Sequence, residues 1–214
     1  FNGVNFTVPG ALNRVLSSIL SQWEQEYGIV SDMPLELGLR FGRILQAAAE
    51  QTGRGAVVLV DEYDKPLLDV LEKDPELLEQ NREILKSFYS VFKQADASLR
   101  FVFLTGVTKF SQVSVFSGFN QPLDISMTEK FEALCGITEE ELHTQFAEPI
   151  RKMAESDGCT EEDIRQKLKR HYDGYHFSKN MADIYNPFSL LNAFYNNDVR
   201  DYWFTSGTPS YLIR

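Results

Sequence analysis

Two adjacent carboxylates, Asp61 and Glu62, follow directly on the apolar run Ala56-Val57-Val58-Leu59-Val60. A β-branched run of that length predicts a strand buried on both faces, as in a parallel sheet. Ligands of open α/β sheets bind at the carboxyl ends of strands, which is where this acidic pair falls. One carboxylate there can hold a magnesium ion, directly or through its waters. Its neighbour can orient and deprotonate a water for attack on a phosphoryl group. On this reading Asp61 is the metal ligand and Glu62 the catalytic base. The chain leaves the sheet at this point, so adjacent side chains can diverge and divide the two roles.

A second apolar run, Phe101-Val102-Phe103-Leu104, ends in Thr105-Gly106-Val107-Thr108-Lys109. A nucleotide hydrolase places a polar residue at the end of such a strand to sense the terminal phosphate and position water. Thr105 is the catalytic candidate for that role. Thr108 and Lys109 follow closely enough to reach the same cleft as cofactor-binding residues. What grips a triphosphate is missing, however. No GxxxxGK[ST] occurs in the sequence, and with it are absent the N–H cradle, its lysine and a hydroxyl for magnesium. The sequence as it stands is expected to bind ATP weakly or not at all.

Elements must position these groups. Residues 1–7 alternate apolar and polar, predicting a short strand. Pro9 opens a helix carrying Leu12, Val15, Leu16, Ile19, Leu20 and Trp23 at helical spacing, ending at Gly28, and a second helix is predicted over about 35–51. Pro75 opens a long helix to about Ala95, and residues 123–127 suggest one more short strand. The order strand, helix, helix, strand, helix, strand predicts an α/β layered fold with right-handed crossovers. Beyond it the character turns helical. Thr138 with Glu141, and Thr160 with Asp163, have capping-box spacing. The basic residues Arg165, Lys167, Lys169 and Arg170 suit the end of a helix dipole rather than a phosphate site. The aromatic residues of the last forty positions suit core and packing surface.

Composition narrows the function classes. Asp and Glu number 31 against 21 Lys and Arg, a formal charge of −10, which repels nucleic-acid backbones. No apolar run is long enough for a membrane span, and no signal peptide is recognisable, so a soluble, cytoplasmic protein is expected. The first residue is Phe1, not Met, which suggests a start within a longer protein. Cys135 and Cys159 form no CxxC pair and read as free thiols; His143, His171 and His176 have no zinc-site spacing.

Taken together, these segments resemble the bacterial AAA-ATPase-like family. The stretch Val57-Val58-Leu59-Val60-Asp61-Glu62-Tyr63-Asp64-Lys65-Pro66-Leu67 looks like its Walker B segment, and Phe101 through Ser111 like its sensor segment. Leu123-Asp124-Ile125-Ser126, Cys135-Gly136-Ile137-Thr138, Tyr172-Asp173-Gly174-Tyr175-His176-Phe177, Tyr185-Asn186-Pro187-Phe188-Ser189 and Tyr202 through Pro209 match as well. The resemblance implies a partial P-loop NTPase sheet of the AAA-like kind over 1–128, with flanking helices and a helical lid-like region over 129–214. It also implies that Asp64 and Lys65 stand behind the site as cofactor-side partners. The family carries a Walker A loop upstream and often a PD-(D/E)XK nuclease-like domain downstream. The intact protein is then expected to use ATP and Mg2+, with neither held by this stretch alone.

Rivals fare worse. Asp61-Glu62-x-Asp64 fits a DExD-box helicase, but the next strand lacks the Ser-Ala-Thr-type motif and the charge is wrong for a nucleic-acid motor. A PD-(D/E)XK nuclease needs an acid two residues before its lysine, where this chain has Tyr63. The alternative from another class is a degenerate ATPase-like module that serves protein–protein interaction without catalysis. A sheet lacking its phosphate-loop strand is expected to expose an edge, through which the chain could self-associate.

Overall fold

The structure, a computed structural model, describes residues 1, 3–30, 35–107, 122–174 and 184–202. The chain divides into two compact units, Phe1–Pro122 and Leu123–Arg214. The fold is mixed α/β, mostly helical, with a small parallel sheet of two strands.

In the first unit, α1 (Ala11–Glu26) and α2 (Leu37–Thr52) precede β1 (Ala56–Val60). A single turn, α3 (Lys65–Leu68), then α4 (Pro75–Tyr89) and α5 (Val91–Gln94), carry the chain to β2 (Leu99–Leu104). The helices form because each presents one apolar stripe: Leu12, Leu16 and Leu20 on α1, Phe41, Ile44 and Leu45 on α2, Leu85, Phe88 and Tyr89 on α4. These stripes meet in one core with Val58 of β1 and Leu67 of α3. Phe41 stacks on Phe88 with ring centroids 4.9 Å apart. Arg40 clamps α2 to α1 through Glu24, Nε to Oε1 at 2.9 Å and a second nitrogen to Oε2 at 2.7 Å. That two-pronged pairing is the strong geometry for an arginine–carboxylate contact.

The strands pair in parallel, Val57 with Phe101 through Val60 with Leu104. Parallel strands need a crossover, and α3 to α5 supply it. One expectation fails here: the apolar run is not covered on both faces. Val58 is buried in the core, but Val57, Leu59 and Phe101 are 57%, 70% and 54% exposed. Among the described residues, the helices cover one side of the sheet.

Three other expectations change, each because a side chain competes for backbone partners. Residues 3–7 form turns rather than a strand. The Asn5 carboxamide accepts from the Thr7 N–H at 3.0 Å, which swings Phe6 fully into the core. The long helix after Pro75 breaks at Ser90, whose hydroxyl donates to the Ser87 carbonyl at 2.7 Å. Residues 123–127 form a turn, with Asp124 accepting from the Ser126 N–H at 3.0 Å.

The second unit contains α6 (Glu139–Gln145), α7 (Ala147–Asp157), α8 (Glu161–Tyr172) and α9 (Pro187–Asn196) around Leu142, Ile150, Met153, Ile164, Leu168 and Leu190. Both capping boxes form: Thr138 with Glu141 opens α6, and Thr160 with Asp163 opens α8. Most of the basic cluster on α8 is paired with acids, Arg165 with Glu161, Lys167 with Asp157 and Lys169 with Glu139. Ile137 and Tyr185 exchange backbone hydrogen bonds, and the buried Tyr185 hydroxyl donates to Glu139 at 2.8 Å. Burial alone would raise the Glu139 carboxyl, but the hydrogen bonds from Tyr185 and Lys169 outweigh it and hold it below its ordinary value. Tyr172 bonds the backbone of Arg200, and burial pushes its hydroxyl up to about 12. Cys135 and Cys159 are exposed and unbridged. Among the described residues no helix is long and apolar enough to cross a membrane.

Two measurements check this account. In urea unfolding, Leu59→Ser is expected to shift stability by no more than about 0.5 kcal/mol, whereas Leu67→Ala costs about 2–5 kcal/mol. Thr138→Ala is expected to cost about 1 kcal/mol. It also changes the pH profile. Hydrogen bonds from Thr138 hold the Glu141 carboxyl below its ordinary 4.5 on folding. Such a group stabilises above its unfolded value and loses that contribution as pH falls through its folded value. Unfolding scans below pH 4.5 should therefore show a steeper acid loss in the parent than in Thr138→Ala.

Candidate functional site

The two strands end together. The Thr105 N–H donates to the Val60 carbonyl at 2.8 Å, which continues the parallel ladder one step past both strands. The next step is irregular. It is the Tyr63 N–H, not that of Glu62, that donates to the Thr105 carbonyl, at 2.9 Å. Glu62 is the inserted residue, and its backbone is left-handed with φ at 53°. Its N–H points at the Thr105 hydroxyl, 3.4 Å away, and that hydroxyl in turn donates to Asp61 Oδ1. One threonine side chain thereby touches both members of the acidic pair.

A bulge of this kind re-aims side chains at a strand end. Asp61 is exposed, while Glu62 is half-buried. Glu62 Oε2 is buried with no hydrogen-bond partner among the described residues. A non-glycine residue in the left-handed region is uncommon and costs about 1–2 kcal/mol. Such outliers concentrate where function over-determines the backbone.

Behind the pair the chain turns into α3, with the Lys65 N–H on the Glu62 carbonyl at 3.0 Å. Asp64 is completely buried beside Tyr63 and Tyr89. Burial pushes the Tyr89 hydroxyl well above its ordinary value, and the neighbouring Tyr63 and Asp64 add to the shift. Asp64 Oδ2 accepts from the Val107 N–H at 3.0 Å. Lys65 pairs with Asp69 at 2.9 Å, and Asp69 also accepts from the Phe6 N–H at 3.3 Å. Asp64 and Lys65 thus make their contacts with the protein itself. Thr108 and Lys109 lie outside the described residues.

Asp61, Glu62 and Thr105 are therefore brought together at one rim of the sheet, as their spacing predicted. Reasoning from sequence missed the inserted residue at Glu62 and the tight packing at Gly106. A Cβ there would lie 2.5 Å from the Tyr63 ring and 2.8 Å from Asp64 Oδ1. The signal was present in part, since a glycine directly after a strand end often marks a close backbone approach.

The Asp61 carboxylate fits the role of ligand to a magnesium ion. That ion is commonly held by one or two carboxylates, with waters and substrate phosphates completing its shell. Asp61 offers an exposed carboxylate for it. No group of three or more His, Cys, Asp or Glu among the described residues is placed to form an all-protein metal cage.

Comparison with known proteins adds the following. The model of the AAA-ATPase-like family, described as "Predicted AAA-ATPase", matches residues 1–116. An "Uncharacterized protein in vnfD 5'region" of Azotobacter chroococcum mcd 1 is 41% identical over 202 residues, which is 94% of this chain and 36% of that protein. The chain thus spans about a third of the length of that curated relative. No solved structure matches significantly.

The left-handed backbone at Glu62 makes a stability prediction independent of chemistry. Glycine adopts this conformation freely, at an entropic cost of about 0.5–1 kcal/mol elsewhere in regular structure. Glu62→Gly is therefore expected to be neutral to stabilising by about 1 kcal/mol in thermal or urea unfolding. A destabilisation clearly larger than that would mean the side chain contributes packing that outweighs its backbone strain.

Proposed function

Because the chain belongs to the AAA-ATPase-like family, we propose that its first unit carries the water-activating half of an ATPase site of the P-loop kind. The observation that carries this reading is the contact of one threonine, Thr105, with both Asp61 and Glu62 at the ends of paired parallel strands. Asp61 is the Walker B ligand for Mg2+. The ion would neutralise charge on the β- and γ-phosphates of ATP. Glu62 is the base, and its Oε2 accepts no hydrogen bond from the protein among the described residues. Thr105 fixes the Asp61 carboxylate and can position water through its hydroxyl. Thr108 and Lys109 would act on the cofactor side of the same cleft. The phosphate-gripping loop, absent from this sequence, has to come from elsewhere in the intact protein. ATP hydrolysis would there drive a conformational switch, with the second unit acting as lid.

A second reading is favoured by a different observation. The apolar sheet face formed by Val57, Leu59 and Phe101 is uncovered among the described residues. A degenerate ATPase-like module used for protein–protein interaction, or for self-association through the sheet, would use such a surface.

Steady-state ATP hydrolysis by the full-length protein with Mg2+ separates the two. Glu62→Gln is expected to lower kcat by about 10²–10⁴-fold. A full-length protein that hydrolyses no ATP leaves the interaction module as the reading. Equal turnover by parent and Glu62→Gln would remove Glu62 from the role of base.

A further inference from the structure

Beyond Thr105 the backbone ladder between the two strand ends has no regular continuation. The β1 side has already turned into α3, with the Asp64 carbonyl accepting from the Leu67 N–H at 2.9 Å and the Leu68 N–H at 3.0 Å. The next outward N–H on the β2 side is that of Val107, and it still meets an acceptor. That acceptor is the side chain of Asp64, at 3.0 Å. The carboxylate supplies the rung that a backbone carbonyl would have supplied in a longer strand.

Several features make this contact specific rather than incidental. Asp64 is fully buried, and burial of a carboxylate is costly unless it accepts hydrogen bonds. The intervening residue, Gly106, lies so close that a Cβ would strike the Tyr63 ring at 2.5 Å and Asp64 Oδ1 at 2.8 Å. The segment 105–107 therefore lies flat against 62–64, bonded on one side of Gly106 through Thr105 and on the other through Val107. Thr105 itself is exposed, and its side chain has little packing to hold it. Its place against Asp61 and Glu62 depends on the backbone that carries it.

We propose that Asp64 is a positioning residue, whose buried carboxylate pins the backbone after β2 and so keeps the Thr105 hydroxyl on Asp61 and Glu62. It acts through Val107, its carboxylate fully buried. Its consequence for turnover rests on the ATPase reading, but its effect on the backbone does not.

The test uses the full-length protein and two kinds of readout. Residue-resolved amide exchange decides the positioning role whether or not the parent hydrolyses ATP. Loss of a hydrogen bond to a carboxylate should speed Val107 exchange by about tenfold or more in Asp64→Ala. Asp64→Asn, which keeps an acceptor of the same shape, should restore most of the protection. Gly106→Ala leaves the aspartate in place but crowds its carboxylate and the Tyr63 ring, so it should also speed Val107 exchange, and it decides the matter should Asp64→Ala fail to fold. Unchanged Val107 exchange in Asp64→Ala, or in Gly106→Ala where Asp64→Ala does not fold, would overturn the proposal. Where the parent hydrolyses ATP, Asp64→Ala should lower kcat by about 10–100-fold through misplacement of Thr105, with KM little changed. A raised KM at full kcat would instead put Asp64 in nucleotide binding and overturn its assignment as a positioning residue. A parent that hydrolyses nothing, with Val107 exchange still governed by Asp64, would count against the ATPase reading alone.

Discussion

The first unit depends on where two parallel strands stop pairing. Backbone hydrogen bonds hold β1 and β2 in register up to Val60 and Leu104, and one further bond from Thr105 carries the pairing past both strands. At that point the unpaired backbone groups have to be satisfied or exposed. The chain satisfies them irregularly, with an inserted left-handed Glu62, a threonine hydroxyl under its N–H, and a buried aspartate in place of a carbonyl. Every candidate catalytic group among the described residues is a product of that irregular ending. A strand that simply frayed into solvent would leave Asp61, Glu62 and Thr105 with no fixed relation.

The core behind this rim is one-sided. Helices α1, α2 and α4 share a cluster with Val58, and the arginine clamp from Arg40 to Glu24 ties the first two together. The opposite sheet face presents Val57, Leu59 and Phe101. Parallel sheets are almost always covered on both faces, because their strands are apolar on both. Among the described residues, no helix covers that second face. The second unit is more conventional. Two of its helices, α6 and α8, begin at capping boxes, and the Tyr185 and Tyr172 hydroxyls are paired with Glu139 and the Arg200 backbone.

Much of this was legible in the residues. Strands at 56–60 and near 101–104, the helices opened by Pro9 and Pro75, and both capping boxes follow from local rules, since apolar periodicity and caps act within a few residues. The acidic pair and Thr105 were legible for the same reason, as polar residues directly after apolar strands. Where reading failed, short polar side chains had redirected the backbone: Asn5 turned a strand into a loop, Ser90 split a helix, and Asp124 made a turn. Those contests between side chain and ladder are close in energy, and packing elsewhere decides them.

The sequence by itself determined the chemistry on offer: two carboxylates and a threonine at strand ends, no phosphate loop, and an acidic surface. Those are facts of composition and spacing, which no tertiary contact can alter. Only the folded chain decided the roles of the residues around them. Asp64 and Lys65 read equally well as cofactor partners until burial sent one to the Val107 N–H and the other to Asp69. The left-handed turn at Glu62 and the closeness of Gly106 to Tyr63 likewise arise from pairing between segments some forty residues apart. No local rule reaches that far, because the partner that satisfies each group is fixed by the fold and not by its neighbours in sequence.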